Sequence, residues 1–428
     1  GRAGRLEYLL FGKESSGDLR EDGSGVSIIG SEAALSSGLA KFAVNMDNGG
    51  RLEFSYENVK DDAERPNRAD FGARILRGVL DDGTRTYTLE RENAVITYTG
   101  DFGAPIWNPT VQLAYSSTDL FTGAFTGATD AYSGTSSSLT GKIENTFTLS
   151  NGTVTAGVDF YRDTVDITGE ATAAGYFGEE KANNVGIYAQ ARLDVSDRLR
   201  VSGGARYDFQ RFEGVDGTKY ETDGLSVNLA ADFDISNSVT ISAGASRAWG
   251  GIALAESFLF DPTWVYPAAI EPVTSENFYL GFNADLGRGF AMDGKVFKTS
   301  IDNARTLYEG VSSESFGSEP GGTSDLDSEG FEVGAKYDCG SGFVRLAYAN
   351  VSADVEGFDA DSYTGRYLTT PLGDAVVLEV AHVIDSIDLA LGADIQYTKG
   401  RDITYLGDVT GATDDYTVMN IFAEYKPS

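Results

Sequence analysis

The sequence predicts an all-β protein, a transmembrane antiparallel up-and-down β-barrel. Three observations predict it: apolar–polar alternation along extended segments, an alternation of tight turns with long polar segments, and a composition rich in glycine and aromatic residues. Of the 428 residues, 52 are Gly, 24 are Phe and 22 are Tyr, but only 9 are Pro. This composition favours strands and tight turns over helices.

The alternation is clearest in the middle of the chain. From Leu199 to Phe209 the odd positions are mostly apolar and the even positions mostly polar, and the same period of two runs from Leu225 to Ile235. A period of two places one set of side chains on each face of a strand. In a membrane barrel the apolar face contacts lipid and the polar face lines the lumen. The charged residues predicted to face the lumen are Arg192, Asp194, Arg206, Asp208, Asp232 and Asp234.

The connections distinguish a membrane barrel from a soluble sandwich. Tight turns are predicted at residues 47–50, 150–152, 196–198, 236–238, 286–289, 339–342 and 385–386, with a looser corner at 103–105. A long polar segment is expected between successive turns, and these segments include 13–35, 60–84, 119–138, 164–181, 250–274, 303–326, 354–370 and 400–413. Short turns at one end and long loops at the other are typical of outer-membrane barrels. About eighteen strands are predicted.

Composition and charge exclude several functions. The chain has 33 basic and 65 acidic residues, a formal charge of −32, which argues against a nucleic-acid or anionic-lipid surface partner because such partners need a dense cationic face. A single Cys and a single His disfavour thiolate clusters and most zinc sites, so no metal site is predicted. The sequence contains no Gly-x-Ser-x-Gly motif, and we predict no catalytic residues and no enzymatic activity.

Several motifs carry a family resemblance. The segment Pro272–Phe282 resembles the strand entry typical of TonB-dependent outer-membrane receptors. Asn184–Gln190 and Ser202–Asp208 are similar to the central hairpin of that family, and Val418–Ser428 resembles its strand before the last short turn. Each motif is degenerate, but their order and spacing over about 250 residues are specific.

The resemblance implies an architecture larger than this chain. Such receptors are 22-stranded barrels with a plugged lumen, and in the family the plug precedes the barrel. Nothing in the sequence resembles the plug. We therefore expect residues 1–428 to be a partial barrel, with an N-terminal plug and terminal strands missing.

The resemblance also implies a function. It predicts a receptor in the outer membrane of a Gram-negative bacterium that takes up an iron chelate or haem into the periplasm, energised by the inner-membrane TonB complex acting through the plug. Haem or a ferric siderophore would be the transported ligand, and no cofactor is expected. The implied surroundings are outer-membrane lipid and lipopolysaccharide, and the implied state is a monomer. The alternative is a passive porin-type diffusion channel.

One predicted loop is the candidate ligand-binding segment. The stretch from Arg247 to Glu271 resembles the haem and haemoprotein branch of the family more than the ferrichrome branch, although it lacks the His expected there. Tyr266 is a candidate phenolate ligand, since haem iron accepts tyrosine. The aromatic residues of this loop could form an apolar wall that holds a flat ligand, or they could pack against one another within a long loop. The sequence leaves both interpretations open. The aromatic residues concerned are Trp249, Phe258, Phe260, Trp264 and Tyr266.

Overall fold

A computed structural model describes residues 1–66, 74–76, 79–81, 84–123, 131–169, 176–255, 264–305, 320–359, 374–405, 408–412 and 414–426. These residues form β-strands and a single three-residue 3-10 helix, Asp385–Ile387. None of the described helical segments is long and apolar enough to cross a membrane. The strands are β1 (Arg2–Ala3), β2 (Leu6–Gly17), β3 (Ala33–Asn45), β4 (Gly50–Pro66), β5 (Arg74–Leu76), β6 (Val79–Asp81), β7 (Thr84–Gly100), β8 (Pro109–Thr122), β9 (Tyr132–Leu149), β10 (Gly152–Gly169), β11 (Tyr176–Ser196), β12 (Leu199–Glu213), β13 (Lys219–Ser236), β14 (Val239–Gly251), β15 (Val273–Gly287), β16 (Phe290–Arg305), β17 (Thr323–Asp338), β18 (Gly342–Val355), β19 (Phe358–Asp359), β20 (Ala375–Ile384), β21 (Leu389–Thr398), β22 (Asp402–Tyr405), β23 (Asp408–Ala412) and β24 (Tyr416–Tyr425).

The long strands form one antiparallel sheet in chain order. Among the described strands, eighteen have ten residues or more, and each pairs with the next long strand along the chain. The paired order is β2, β3, β4, β7, β8, β9, β10, β11, β12, β13, β14, β15, β16, β17, β18, β20, β21, β24. The predicted all-β, up-and-down architecture with about eighteen strands is therefore confirmed.

The two ends of the sheet differ in their connections. Two-residue turns join β9 to β10, β11 to β12, β13 to β14 and β15 to β16. At the opposite end the connections are long, such as residues 252–272 between β14 and β15. We call this opposite end the mouth.

Several segments that were expected to be long polar loops are largely strand, among them 60–84, 119–138 and 400–413. The connection between β12 and β13 lies at the mouth, where a long segment was expected, but spans only residues 214–218. It closes tightly because the Gly214 amide donates to Thr218 O at 2.9 Å and the Asp216 carboxylate accepts from the Thr218 amide at 2.8 Å. Segment 164–181 was also expected to be a polar loop, but most of it continues as β10 and β11. The strands β10 and β11 therefore continue, with more polar residues, beyond the apolar part of the sheet.

Alternation gives the sheet an apolar outer face. Eight large side chains on this face of β10–β13 are 39–60% exposed. In a barrel of this kind the bilayer covers such a surface. Their neighbours of opposite parity, such as Asn184, Asp208 and Gln210, are buried on the inner face. We call the outward set the apolar belt: Val158, Phe160, Val185, Ile187, Phe209, Leu225, Val227 and Leu229.

Candidate functional site

A compact core lies on the inner face at the mouth. The loop of residues 252–272, described at 252–255 and 264–272, folds inward onto β10, β11 and β12. Trp264 and Tyr266 are 4% and 6% exposed, whereas Val265 between them is 79% exposed. Alternate side chains of the loop are therefore buried against the barrel wall and exposed. The buried core consists of Val165, Ile167, Phe212, Ile252, Ala255, Trp264, Tyr266 and Ile270.

A fully buried carboxylate fixes this loop. Glu180 on β11 has no exposed surface, and it accepts a hydrogen bond from the Tyr266 hydroxyl. The same carboxylate accepts from the Ala255 amide at 2.7 Å. Two guanidinium nitrogens of Arg305 donate to its two oxygens at 2.8 and 2.6 Å. The buried charge is therefore paired and hydrogen-bonded, as low-dielectric surroundings require.

Arg305 extends the same network to other segments. Its guanidinium donates to Pro320 O at 3.0 and 2.7 Å and to Ala253 O at 2.8 Å. The guanidinium carbon also lies 5.3 Å from the ring centre of Phe212, within the range of a cation–π contact. We call Glu180, Tyr266 and Arg305 the mouth latch. It joins β11, β16, the inward loop and the segment before β17.

Small residues and amides complete the packing around the latch. A side-chain carbon at Gly214 would lie 2.6 Å from the Tyr266 ring, so this position must be glycine for the ring to pack closely. The buried amide of Gln210 accepts from the Ile252 amide at 2.7 Å and donates to Ile252 O at 3.2 Å. The start of the loop is therefore bonded to β12, and its later part is bonded to β11.

The Tyr266 hydroxyl is expected to resist ionisation. Burial raises the pKa of Tyr266, and the adjacent Glu180 carboxylate raises it further. The pKa of Tyr266 is higher in the folded loop than in the unfolded chain. The protonated hydroxyl therefore contributes its full stabilisation of the loop at pH values below the unfolded pKa of 10.0. That contribution falls as the pH rises above 10.0 toward the folded pKa. We expect the loop to loosen above about pH 10.

This alkaline loosening can be measured with Trp264 fluorescence. In a background where Trp107 and Trp249 are replaced by Phe, acrylamide should quench Trp264 more strongly as the pH rises. A Tyr266→Phe variant should lack this pH dependence. Identical profiles for the two proteins would contradict the prediction.

The aromatic residues predicted for the ligand loop are placed unequally. Trp264 and Tyr266 pack together with ring centres 6.2 Å apart, inside the buried core. The ring of Trp249 lies over Gly224 on β13. Phe258 and Phe260 lie outside the described residues. The Tyr266 hydroxyl donates a hydrogen bond to Glu180. Iron ligation by Tyr266 and an ordinary aromatic role for this residue were both open in the sequence, and the ligation stays a prediction.

Four of the six charged residues predicted for the lumen form inner-face ion pairs. Arg206 bridges Asp159 at 2.6 Å and Asp208 at 2.6 Å. Its guanidinium lies against Gly186, where any side chain would collide with it. These contacts tie β10 to β12 across β11.

The second inner-face group lies nearer the tight turns. Arg200 pairs with Asp234 at 2.7 Å and with Asp232 at 3.8 Å. Arg192 and Asp194 are exposed, and the structure records no ion pair for either within its described part. The structure thus brings four of the six predicted residues into two groups.

Comparisons with known proteins decide the family. The family model described as "TonB dependent receptor-like, beta-barrel" matches residues 38–428. This chain belongs to the TonB-dependent receptor β-barrel family. The resemblance seen in the sequence is thereby confirmed, and the receptor barrel is a protein of the Gram-negative outer membrane.

Curated relatives and solved structures agree with this assignment. The receptor barrel is 26% identical over 439 residues to the heme transporter BhuA of Brucella ovis and to that of Brucella abortus, covering 99% of this chain and 62% of each relative. It therefore spans less than two thirds of their length. The FrpB iron transporter of Neisseria meningitidis has a TM-score of 0.81 at 15% identity, covering 100% of this chain and 71% of that one.

A second solved structure contains a haem protein complex. The Serratia marcescens hemophore receptor HasR, solved with its hemophore HasA and heme, has a TM-score of 0.72 at 16% identity. The alignment covers 99% of this chain and 71% of HasR. At these identities the two structures show that the fold is shared. Family and relatives are receptors and transporters rather than enzymes.

Proposed function

We propose that the receptor containing this chain takes up haem across the outer membrane, with a ferric siderophore as the other possible ligand. The observation that carries the proposal is the match of 99% of the chain to 62% of relatives named as heme transporters. The ligand is cargo and not a cofactor. Energy would come from the TonB complex acting through a plug domain, and the working state would be a monomer surrounded by outer-membrane lipid and lipopolysaccharide.

The geometry of the mouth supports a structural role for the inward loop in this uptake. The mouth latch holds the described parts of the loop, residues 252–255 and 264–272, against the barrel wall, so these residues narrow the entrance on their own side. Between the buried Trp264 and Tyr266 the loop carries Val265, which is 79% exposed. An exposed apolar side chain at the entrance suits contact with a flat, mostly apolar ligand such as haem. The buried Trp264 and Tyr266 would then support this side chain from behind.

Uptake by intact cells tests the proposal. Cells that depend on the full-length receptor for iron should grow on haem when TonB is present and fail when TonB is deleted. The purified receptor should bind haem, followed by its absorbance. Equal haem entry with and without TonB would overturn the proposal and favour the passive porin. Growth on a ferric siderophore but not on haem would instead identify the ligand as the siderophore.

A further inference from the structure

One buried amide on the inner face adjoins both the ion pairs of the lumen wall and the anchor of the inward loop. Asn184 on β11 is 3% exposed, and its side-chain nitrogen donates to the Asp208 carboxylate at 2.7 Å. Asn184 also lies directly opposite Gln210 on β12. Gln210 in turn holds Ile252 at the start of the inward loop. Asn184 therefore stands between the Arg206 ion pairs and the loop.

The side-chain oxygen of Asn184 is buried and has no hydrogen-bond partner within the part of the chain that the structure describes. The ionised carboxylate of Asp208 only accepts hydrogen bonds, so it keeps the nitrogen of the Asn184 amide on its own side. The oxygen is therefore left for another donor. Side chains that lie directly opposite on one face of a sheet have Cβ atoms about 4.5–5.5 Å apart. The amide of Gln210 is thus within reach of this oxygen after a rotation of the two side chains.

The Gln210 amide cannot serve the loop and Asn184 together. Its nitrogen carries two hydrogens, and these donate to the Tyr161 hydroxyl at 3.0 Å and to Ile252 O at 3.2 Å. A bond to Asn184 would replace one of them. Tyr161 belongs to strand β10, whereas Ile252 belongs to a loop that can move away. A rotation of the Asn184 oxygen onto Gln210 would therefore compete with docking of the loop.

The bond between Asn184 and Asp208 depends on the ion pairs beside it. Asp159, Arg206 and Asp208 form one group of two carboxylates and one guanidinium, with a net charge of −1. The Arg206 and Asp159 side chains are 30% and 26% exposed, so a cationic group in the lumen is attracted to Asp159 and can reach it. A cation that engaged Asp159 would leave Arg206 to Asp208 alone. Arg206 would then compete with Asn184 for that carboxylate.

We propose that Asn184 is a two-position switch that relays the state of the Arg206 ion pairs to the inward loop. While Asp208 holds the Asn184 nitrogen, Gln210 holds the loop in its docked position. When Arg206 takes over the carboxylate, Asn184 turns its oxygen onto the Gln210 amide and the loop is released. A cationic group acting on Asp159 would thus open the mouth from the lumen. The inference goes beyond the proposed function and does not depend on which ligand is transported.

Hydrogen exchange at the Ile252 amide of the full-length receptor tests the switch. Asp208→Ala removes the partner of Asn184, and exchange should become about tenfold faster, as expected for one hydrogen bond to a charged group. Asn184→Ala removes the competitor, so adding Asp208→Ala to it should change the exchange rate by less than about threefold. Asp234→Ala is the matched control, because Asp234 forms an inner-face ion pair with Arg200 at 2.7 Å nearer the tight turns. This control should exchange like the unmodified receptor.

A further variant tests the connection to the lumen. Asp159→Ala leaves Arg206 to Asp208 alone, so it should accelerate exchange at Ile252 in the same direction as Asp208→Ala. The acceleration should again disappear when Asn184 is replaced by Ala. Heat-dependent gel mobility would show that each variant is a folded barrel.

Three results would overturn the inference. The first is unchanged exchange in Asp208→Ala or in Asp159→Ala. The second is equal acceleration by Asp208→Ala with and without Asn184, which would mean that the carboxylate supports the wall directly. The third is equal acceleration by Asp234→Ala, which would mean that loss of any inner-face ion pair loosens the loop.

Discussion

Replacing Glu180 by Gln is expected to release the inward loop from the barrel wall without unfolding the barrel. The substitution keeps the shape of the side chain but leaves the Arg305 guanidinium, whose side chain is 3% exposed, without its counter-ion. An uncompensated buried charge typically costs about 3–5 kcal/mol. We expect this cost to reduce the stability of the closed loop and not that of the barrel, because the hydrogen bonds between the strands are unchanged. Opening of the loop should increase by a factor of about 100 or more.

Hydrogen exchange at neutral pH measures this opening. The amides of Ile252 and Ala255 are hydrogen-bonded to Gln210 and Glu180 in the closed loop, so their exchange should accelerate together. Glu179→Gln is the matched control, because Glu179 is the adjacent carboxylate but pairs with Lys181 in a partly exposed position. Such pairs contribute about 0.2–1 kcal/mol. Unchanged exchange in Glu180→Gln would show that the latch does not hold the loop.

A double replacement separates the charge effect from the packing effect. Changing both Glu180 and Arg305 to Met removes the two buried charges together, and such replacements are often nearly neutral. The double variant should therefore exchange more slowly at Ile252 than Glu180→Gln does. If the double variant exchanged faster than Glu180→Gln, the hydrogen bonds of the latch would contribute more to loop stability than the pairing of its two charges.

Replacing Phe212 by Ala is expected to have a comparable effect through packing. Phe212 is fully buried, and its ring centre lies 6.0 Å from those of Tyr220 and Tyr266. Truncating a buried Phe typically costs about 3–5 kcal/mol, since the cavity collapses only in part. The loss should appear as loosening of the loop, because the ring's aromatic neighbours include Tyr266 of that loop.

Fluorescence of Trp264 reports the result. In the background lacking Trp107 and Trp249, the Phe212→Ala variant should show red-shifted emission and stronger acrylamide quenching. Phe209→Ala is the control, because Phe209 lies on the same strand but points outward in the apolar belt. Combining Phe212→Ala with Glu180→Gln should give less than the sum of the two effects, since both act on one loop. Strict additivity would argue that the two residues stabilise different structures.

The sequence predicted the strands more fully than the site because strand signals are local. Alternation from Leu199 to Phe209 and the two-residue turns specify neighbouring strands, and both features were found. The pairing of Arg206 with Asp159 was not predicted, because the two residues belong to β10 and β12 and meet only across Gly186. Periodicity gives the face of a residue but not its partner two strands away.

The mouth latch was missed for the same reason, although two signals were present. Phe212 shares the parity of Asp208 and Gln210, so continuing the alternation past Phe209 would have placed a large apolar residue on the polar face. Glu180 lay in a segment interpreted as a loop, but its parity continues that of Asn184 on the same strand. Extending the alternation past the membrane-spanning part would have placed Glu180 inside. No local pattern, however, could identify Arg305 as its partner.

The pairing of each long strand with the next one along the chain sets an order of assembly. Hairpins whose strands are adjacent in sequence close small loops and can form early, because the entropy lost on closure is modest. The Glu180–Arg305 pair joins residues 125 positions apart, and it requires β11 through β16 to be in place. The inward loop can therefore dock at the mouth only after strands β11 through β16 have assembled. In a partly assembled barrel the loop would be undocked and the mouth would be wider.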